Sequence, residues 1–482
     1  MKKLFYIACS IFLATSITMS CERDISSLNV NPKKPEVVPS ANLVAASQQY
    51  LADQWVSPSV NLNISRFFTQ QWTETQYVDE TNYNFVTRNQ PQNHYNTLMR
   101  DILGPLKTAA GLLETEAEST NYSTADQAKI KANKKATIEL LSVFAWANLV
   151  DTFGDVPYSE ALQNGENKIL QPKYDDAATI YADLETRLNA ALASISPGLP
   201  GYDIDLVYKG NMAKWKKFGN TLKLQMGLNL SDINQAKAKS MIESAYQDGV
   251  ILTEADSYAH PYMNGQFANP VYQNLVASGR DDFIPSDVYM DYLKSVNDPR
   301  VPKYFTVDKD GNYEGGPYGV LAAYANYSHI SPDITKADVP GRILDVDYTK
   351  FMLLEAAARG FNVGKTAALW YVDAVTQSMN TWGVDAADAA AFLVANPYDA
   401  TNWKKSVGLA AWSAMHNRGF EAWYFFRRLD SPVLVVPGIA DGLVYRMPYS
   451  SNEYSTNEVN VKAAASAIGG DSYTTKLFWD IH

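Results

Sequence analysis

Trp146-Ala147-Asn148-Leu149-Val150-Asp151-Thr152-Phe153-Gly154-Asp155-Val156-Pro157-Tyr158 carries an apolar helix pattern into an abrupt stop. Just upstream, Ile138, Leu141, Ala145 and Leu149 step by three and four. Val143, Phe144 and Trp146 fill the remaining faces. A helix apolar nearly all round is a buried one, so residues 126–151 are predicted as a core helix. Gly154 and Pro157 end it, because glycine frees the backbone and proline removes a donor.

Outward from this helix, the chain again reads as helices. Residues 92–118 are predicted helical, with Gly104-Pro105 as a kink or a start. Residues 174–193 form an amphipathic helix. Trp215, Phe218, Leu222 and Met226 stripe the next, with Lys214, Lys216, Lys217 and Lys223 off the stripe. Residues 234–247 end at Gly249, residues 348–359 end at Gly360, and residues 365–379 follow. Segments 174–230 and 348–380 read as antiparallel pairs of roughly tetratricopeptide size. Between 251 and 344, Gly, Pro, Asn, Asp and Tyr dominate. That stretch is predicted as a loop-rich lobe, with short helices near Tyr272 and over 287–296. The fold class is mainly α, with tetratricopeptide-like helical pairs carrying an irregular lobe.

The N-terminus has a different character. Lys2 and Lys3 precede a mostly apolar run from Leu4 to Met19, dotted with hydroxyls, and Cys21 follows. This is the build of a secretory signal over residues 1–20. Cys9, the other cysteine, lies inside it. Cleavage before Cys21 leaves one cysteine at the new terminus, the pattern of a lipid-anchored protein. Each buried methylene contributes about 0.8 kcal/mol, so two or three acyl chains, palmitate among them, hold where one does not. Residues 21–40, rich in Asn and Pro, read as a tether. Residues 41–482 read as a single domain, and no segment after the leader reads as a membrane-spanning helix.

The chain has 482 residues and a net charge of −11, without basic runs, which argues against nucleic acid as a partner. No H-E-x-x-H, P-loop, G-x-S-x-G or dinucleotide fingerprint occurs. No cofactor, metal site or catalytic residue is expected. Glu74, Asp79 and Glu80 read as a solvated acidic loop. Asp308-Lys309-Asp310-Gly311 resembles the start of a calcium loop, but its glycine falls in the wrong place, so a hairpin turn is expected.

Tyrosine is abundant, with 30 copies beside 10 Trp and 18 Phe, so the aromatics that fall in loops matter most. Two loops concentrate aromatics and amides, 70–88 and 313–329. Sugar rings offer a C–H face to an aromatic platform and a belt of hydroxyls to amides and charges. Trp72, Tyr77, Asn82, Tyr83, Arg88, Tyr324, Asn326 and Tyr327 are the candidate ligand-binding residues.

Five passages resemble the SusD/RagB family of Bacteroidetes outer-membrane nutrient-binding lipoproteins, in the SusD-like branch. They are Cys21 with Asp24, Leu28 and Asn31-Pro32; the Trp146–Tyr158 run; Trp215 to Asn229; Phe351 to Gly360; and Arg446-Met447-Pro448-Tyr449 with Glu453 and Asn457. Ser450 stands where that last element usually has proline. Phe425 to Asp430 is only close to the usual aromatic-arginine pattern. The resemblance implies four tetratricopeptide-like pairs and lipidation at Cys21. It also implies capture of a glycan or oligopeptide, delivered without a covalent intermediate to a SusC-type TonB-dependent β-barrel transporter. Glu22 and Asp24, interrupted by Arg23, resemble the acidic signal for export to the outer face of the cell outer membrane. A surface glycan hydrolase and a tetratricopeptide-type protein scaffold are the competing functions.

Overall fold

The computed structural model describes residues 38–117, 120–165 and 167–482. Cys21, the leader and most of the tether lie outside the described residues.

The first helix, α1 (Ser40–Val56), packs against a long helical run, α2 (90–115). Within α2 the segment Thr97–Leu103 is a π-helix, and the Gly104 N–H reaches the Met99 carbonyl. Pro105 follows directly. The wider turn absorbs a residue that cannot donate, so the helix runs through Gly104-Pro105 instead of starting there.

The decisive helix is α3 (Thr124–Phe153), capped by the Ser123 side chain and buried continuously from Leu140 to Phe153. It is long and apolar enough to cross a bilayer by composition, against the expectation that no such segment follows the leader. Its most apolar window is 94% buried within the protein, so it is a core helix. The motif then explains itself residue by residue. Gly154 sits at φ 84°, open to glycine and strained for others. Asp155 accepts the Ala177 N–H at 2.9 Å. Val156–Pro157 (β2) pairs antiparallel with Tyr174–Asp175 (β3), β1 being Trp72–Glu74 in the early loop. The Tyr158 hydroxyl donates to Asp183 and accepts from Arg187.

Helix α4 (Ala177–Ser194) begins later than predicted, because Asp176 caps it from outside and leaves Tyr174 in the strand. Helices α5 (Met212–Asn229) and α6 (Gln235–Asp248) follow, the latter capped by Asn234. The closest packing joins α3 with α4 and α5 with α6. The pairing expected over 174–230 is thus displaced by one helix, since the longer α4–α5 connection separates two pairs. Within the lobe lies α7 (Asp287–Ser295), and after it come α8 (Val346–Ala358), α9 (Ala367–Thr381), α10 (Trp403–Ala414) and α11 (Gly419–Leu429). Helices α8 with α9, and α10 with α11, complete four packed pairs from α3 onward, beside the earlier packing of α1 on α2. The mainly α reading holds.

In the lobe, β4 (Tyr258–His260) pairs with β6 (Gly341–Leu344), which brings its two ends together. Strand β5 (Phe283–Pro285) pairs with β1, which joins the early loop to the lobe. At 308–312 the chain makes a turn, with the Asp308 side chain accepting the N–H groups of Asp310 and Asn312.

A buried polar chain crosses the helices. Asp151 Oδ1 accepts from the Tyr181 hydroxyl at 2.7 Å and from Trp479 Nε1 at 2.9 Å. Its Oδ2 accepts from Asn229 Nδ2, and its carbonyl accepts from Arg427. Asn229 Oδ1 in turn accepts from Arg428, whose guanidinium pairs with Glu355 at 2.8 Å. Burial raises the Asp151 carboxyl above the usual range while these donors pull it back. Nearby, Gln54 donates to His94 Nδ1, so His94 Nε2 is the donor to Asn148 Oδ1. Burial depresses His94 to about 4, which keeps it neutral.

Replacing Asp151 by Ala orphans the buried tyrosine, asparagine and indole donors. We expect a loss of about 3 kcal/mol or more in denaturant unfolding. A substitution at exposed Glu458 serves as the unaffected reference.

Candidate functional site

The early loop and the lobe meet. The Ala322 N–H donates to the Thr75 carbonyl at 3.0 Å. Asn82 Nδ2 donates to the Gly319 carbonyl at 2.8 Å, and the Tyr318 hydroxyl donates to the Phe67 carbonyl. The loop at 431–442 closes against the same place. Gln70 exchanges hydrogen bonds with Val435, and Gly319, at φ 72°, lies under Pro437 where a side chain would crowd it.

The eight candidates divide into three kinds. Trp72 and Tyr83 belong to the core. Trp72 is fully buried, stacked on Phe283 at 6.2 Å with the Arg66 guanidinium over its ring. Tyr83 is buried beneath Tyr473 and held by Gln70. Neither presents a face to a ligand, which corrects the sequence expectation. Partners from distant segments cover both rings, and periodicity carries no sign of that. Asn82 and Arg88 are committed to the protein itself. Asn82 bonds two carbonyls, and Arg88 pairs with Glu80 at 2.7 Å.

Tyr77, Tyr324, Asn326 and Tyr327 reach solvent. Tyr77 is 63% exposed. It sits at φ 55° in the left-handed region, uncommon for a bulky residue. Tyr324 stacks on His329 with centroids 3.8 Å apart and planes 10° apart, which fixes its ring. Tyr77 and Tyr324 each lie two residues from the Thr75–Ala322 bridge.

Glu74 and Glu80, expected in a solvated loop, are both buried. Glu74 accepts from Thr81 through its N–H and its hydroxyl. Burial first, then hydrogen bonding and repulsion with Glu80, push the Glu74 carboxyl up to about 9. Glu74 keeps its proton at neutral pH and braces the early loop from beneath. Neither carboxyl faces a cleft where a substrate could lie.

A second concavity was not visible in the sequence. It is a cleft of about 510 Å³ lined by Trp55, Asp347, Trp382, Asn417, Arg418 and Glu421, with lobe residues at the rim. Its lining comes from α1, the lobe, α8, the end of α9 and the α10–α11 turn. No local motif could have united these segments. Among the described residues, no group of three or more His, Cys, Asp or Glu side chains is placed to hold a metal.

The Glu74 carboxyl has a testable signature. Native Glu74 keeps its proton up to about pH 9, whereas the unfolded group loses it near 4.5. Stability therefore falls as pH rises through that window. Glu74→Gln should melt higher than the parent at pH 8, with the difference closing by pH 4, as read by thermal unfolding across pH.

With this geometry in hand, comparison with known proteins is informative. Residues 32–450 match the family model SusD-like_2, described as starch-binding and associating with the outer membrane. No curated protein gives a significant match. Many solved structures share the fold. One described as a chitin-binding protein aligns with a TM-score of 0.79 at 23% identity, over 92% of this chain and 100% of that one. A chitin-binding SusD homologue from Flavobacterium johnsoniae aligns at 0.75 and 21%, over 92% and 99%. A SusD-like protein from Bacteroides thetaiotaomicron aligns at 0.75 and 22%, over the same shares. The family model spans most of the chain, the helical pairs are in place, and this protein belongs to the SusD-like family.

Proposed function

We propose that this protein is a lipid-anchored, outer-membrane glycan-binding protein that passes its ligand to a SusC-type TonB-dependent β-barrel transporter without cleaving it. The observation that carries the binding reading is the junction of the early loop with the lobe, where the Thr75–Ala322 bond joins the segment bearing exposed Tyr77 to the one bearing Tyr324, Asn326 and Tyr327. Rings suit the C–H faces of sugars, and Asn326 suits their hydroxyls. Tyr77 is held in a left-handed conformation at the rim, the kind of backbone strain that concentrates at ligand sites. The family match and the chitin-binding relatives favour a glycan over an oligopeptide.

The anchoring part rests on Cys21 and the apolar leader before it. The transporter part rests on the family. The buried state of Glu74 and Glu80 weighs against reading that pair as hydrolytic carboxyls, which need access to substrate.

The triple variant Tyr77→Ala/Tyr324→Ala/Tyr327→Ala should keep its melting temperature within a few degrees. It should bind starch- or chitin-derived oligosaccharides at least tenfold more weakly in calorimetry. Trp72→Ala should instead cost about 3–5 kcal/mol of stability, as core aromatics do. Unchanged glycan affinity in the triple variant would remove the early-loop site. For the anchor, Cys21→Ala expressed in the native cell should shift the protein from the outer-membrane fraction to the soluble one, and a β-barrel should no longer co-purify with that fraction.

A further inference from the structure

The cleft lined by Trp55 and Trp382 shares none of the residues of the loop junction. Its charges are in balance. Lys303, Lys336, Arg342 and Arg418 stand in the lining. Against them stand Asp333, Asp347 and Glu421, with Asp345 fully buried behind. Asp345 takes Arg418 at 2.8 Å and Arg342 at 3.1 Å. Arg418 also pairs with Glu421 at 3.0 Å, and Lys336 pairs with Asp333 at 2.7 Å. His416, in the same lining, is neutral, since burial, Arg66 and Arg300 all depress it. An ion entering here would break an existing pair or stand uncompensated, and either course carries a desolvation cost. The cleft suits a neutral occupant.

What it leaves open is hydrogen bonding, and of both kinds. Asp347 accepts the Thr381 hydroxyl at 2.8 Å through one carboxylate oxygen, and the other takes no hydrogen bond from the described residues. The Arg418 Nε–H is buried without an acceptor among the described residues. Asn417, at φ 62°, uses its Oδ1 to accept from Arg66 at 2.7 Å, which fixes the amide. Its Nδ2 has no partner among the described residues. An acceptor therefore stands in one lining with two donors. A cation cannot use the donors, and an anion cannot use the acceptor. A hydroxyl group does both.

The aromatic walls are held in place. Trp382, half-buried, is braced edge-on by Tyr304 at 4.6 Å. The Trp55 ring packs on Phe420 at 4.5 Å, and its Nε1 donates to Glu421 at 3.0 Å. The volume, about 510 Å³, lies toward the small end of the roughly 300–1,000 Å³ common for ligand pockets. It suits a ring or two and not a length of polymer.

We propose that this cleft is a second glycan site, which takes one neutral pyranose unit at a chain end, its C–H face on Trp382 and its hydroxyls between Asp347 and the Asn417 and Arg418 donors. This rests on the glycan-binding reading and adds a separate site to it. The loop junction presents its rings to solvent, open to a chain passing over them. The cleft encloses a single unit on two indole walls. The affinity that remains in the tyrosine triple variant is that of the cleft.

Calorimetry on the unlipidated chain (Cys21→Ala) tests this with four trisaccharides. Those of glucose and N-acetylglucosamine are neutral, that of glucosamine is a cation, and that of galacturonic acid is an anion. At least one neutral trisaccharide should occupy two sites per molecule. The tyrosine triple variant should keep one of them, and there the charged trisaccharides should bind at least tenfold more weakly than the neutral one. Adding Trp382→Ala to the triple variant should weaken the remaining site at least tenfold. Adding Asn417→Asp instead should weaken it about fivefold. That change keeps the acceptor for Arg66 and removes only the Nδ2 donor, so it carries the test if Trp382→Ala lowers the melting temperature. A single site that the tyrosine substitutions remove, or remaining binding indifferent to both cleft substitutions, overturns the assignment while leaving glycan binding intact. Equal binding of a charged trisaccharide in the triple variant overturns the preference for a neutral unit. Displacement of the sugar there by acetylated triglycine amide overturns the sugar specificity. Binding of no trisaccharide defeats the glycan reading itself, and the cleft site with it.

Discussion

One carboxylate organises the helices. Asp151 ends a helix that is apolar on every side, and it collects donors from Tyr181, Asn229 and Trp479, while its carbonyl takes Arg427. Asn229 passes the connection to Arg428 and Glu355. All four pairs and the C-terminal segment thus converge on one hydrogen-bonded chain. An apolar interface alone tolerates sliding between helices. A buried network satisfied in only one arrangement does not, because every misalignment strands a donor. Around it the large side chains fill space, and Arg427 stacks on Trp423 at 3.6 Å within the same layer.

The same logic reaches the surface through different chemistry. The early loop is short of regular structure, so its shape depends on what lies under it. Trp72 and Tyr83 fill the interior and the protonated Glu74 spans to Glu80. Asn82 and Gln70 fasten the loop to the lobe and to the 431–442 segment. Only after that are Tyr77 and Tyr324 presented. A ligand platform on a loop needs this foundation, since a mobile ring gives up much of its stacking energy to ordering.

Much of the fold was legible because helices announce themselves in periodicity. The apolar stripe through Trp215 and Met226 and the stop at Gly154 are local signals with local causes, whereas the Asp176 cap that leaves Tyr174 outside α4 was not read. The pairing of helices was less legible. Segment 174–230 contains two helices that each prefer the neighbour on the other side, and connection length alone does not reveal that. The π-turn before Pro105 was invisible for a related reason, as it depends on how the chain accommodates a missing donor. For the site, the sequence indicated the two loops but not which rings face outward. Trp72 and Tyr77 lie five residues apart with similar chemistry, and contacts from Phe283 and His416 bury one of them. The cleft around Trp382 left no trace in any single stretch.

That cleft has a consequence for assembly. Its walls run from Trp55 to Glu421, so it exists only once the first helix and the last pair have both docked. Any molecule lodged there recognises the finished chain and none of its fragments. By mass action such an occupant would tighten the whole body at once, and the gain would be read as resistance to proteolysis far from the cleft itself.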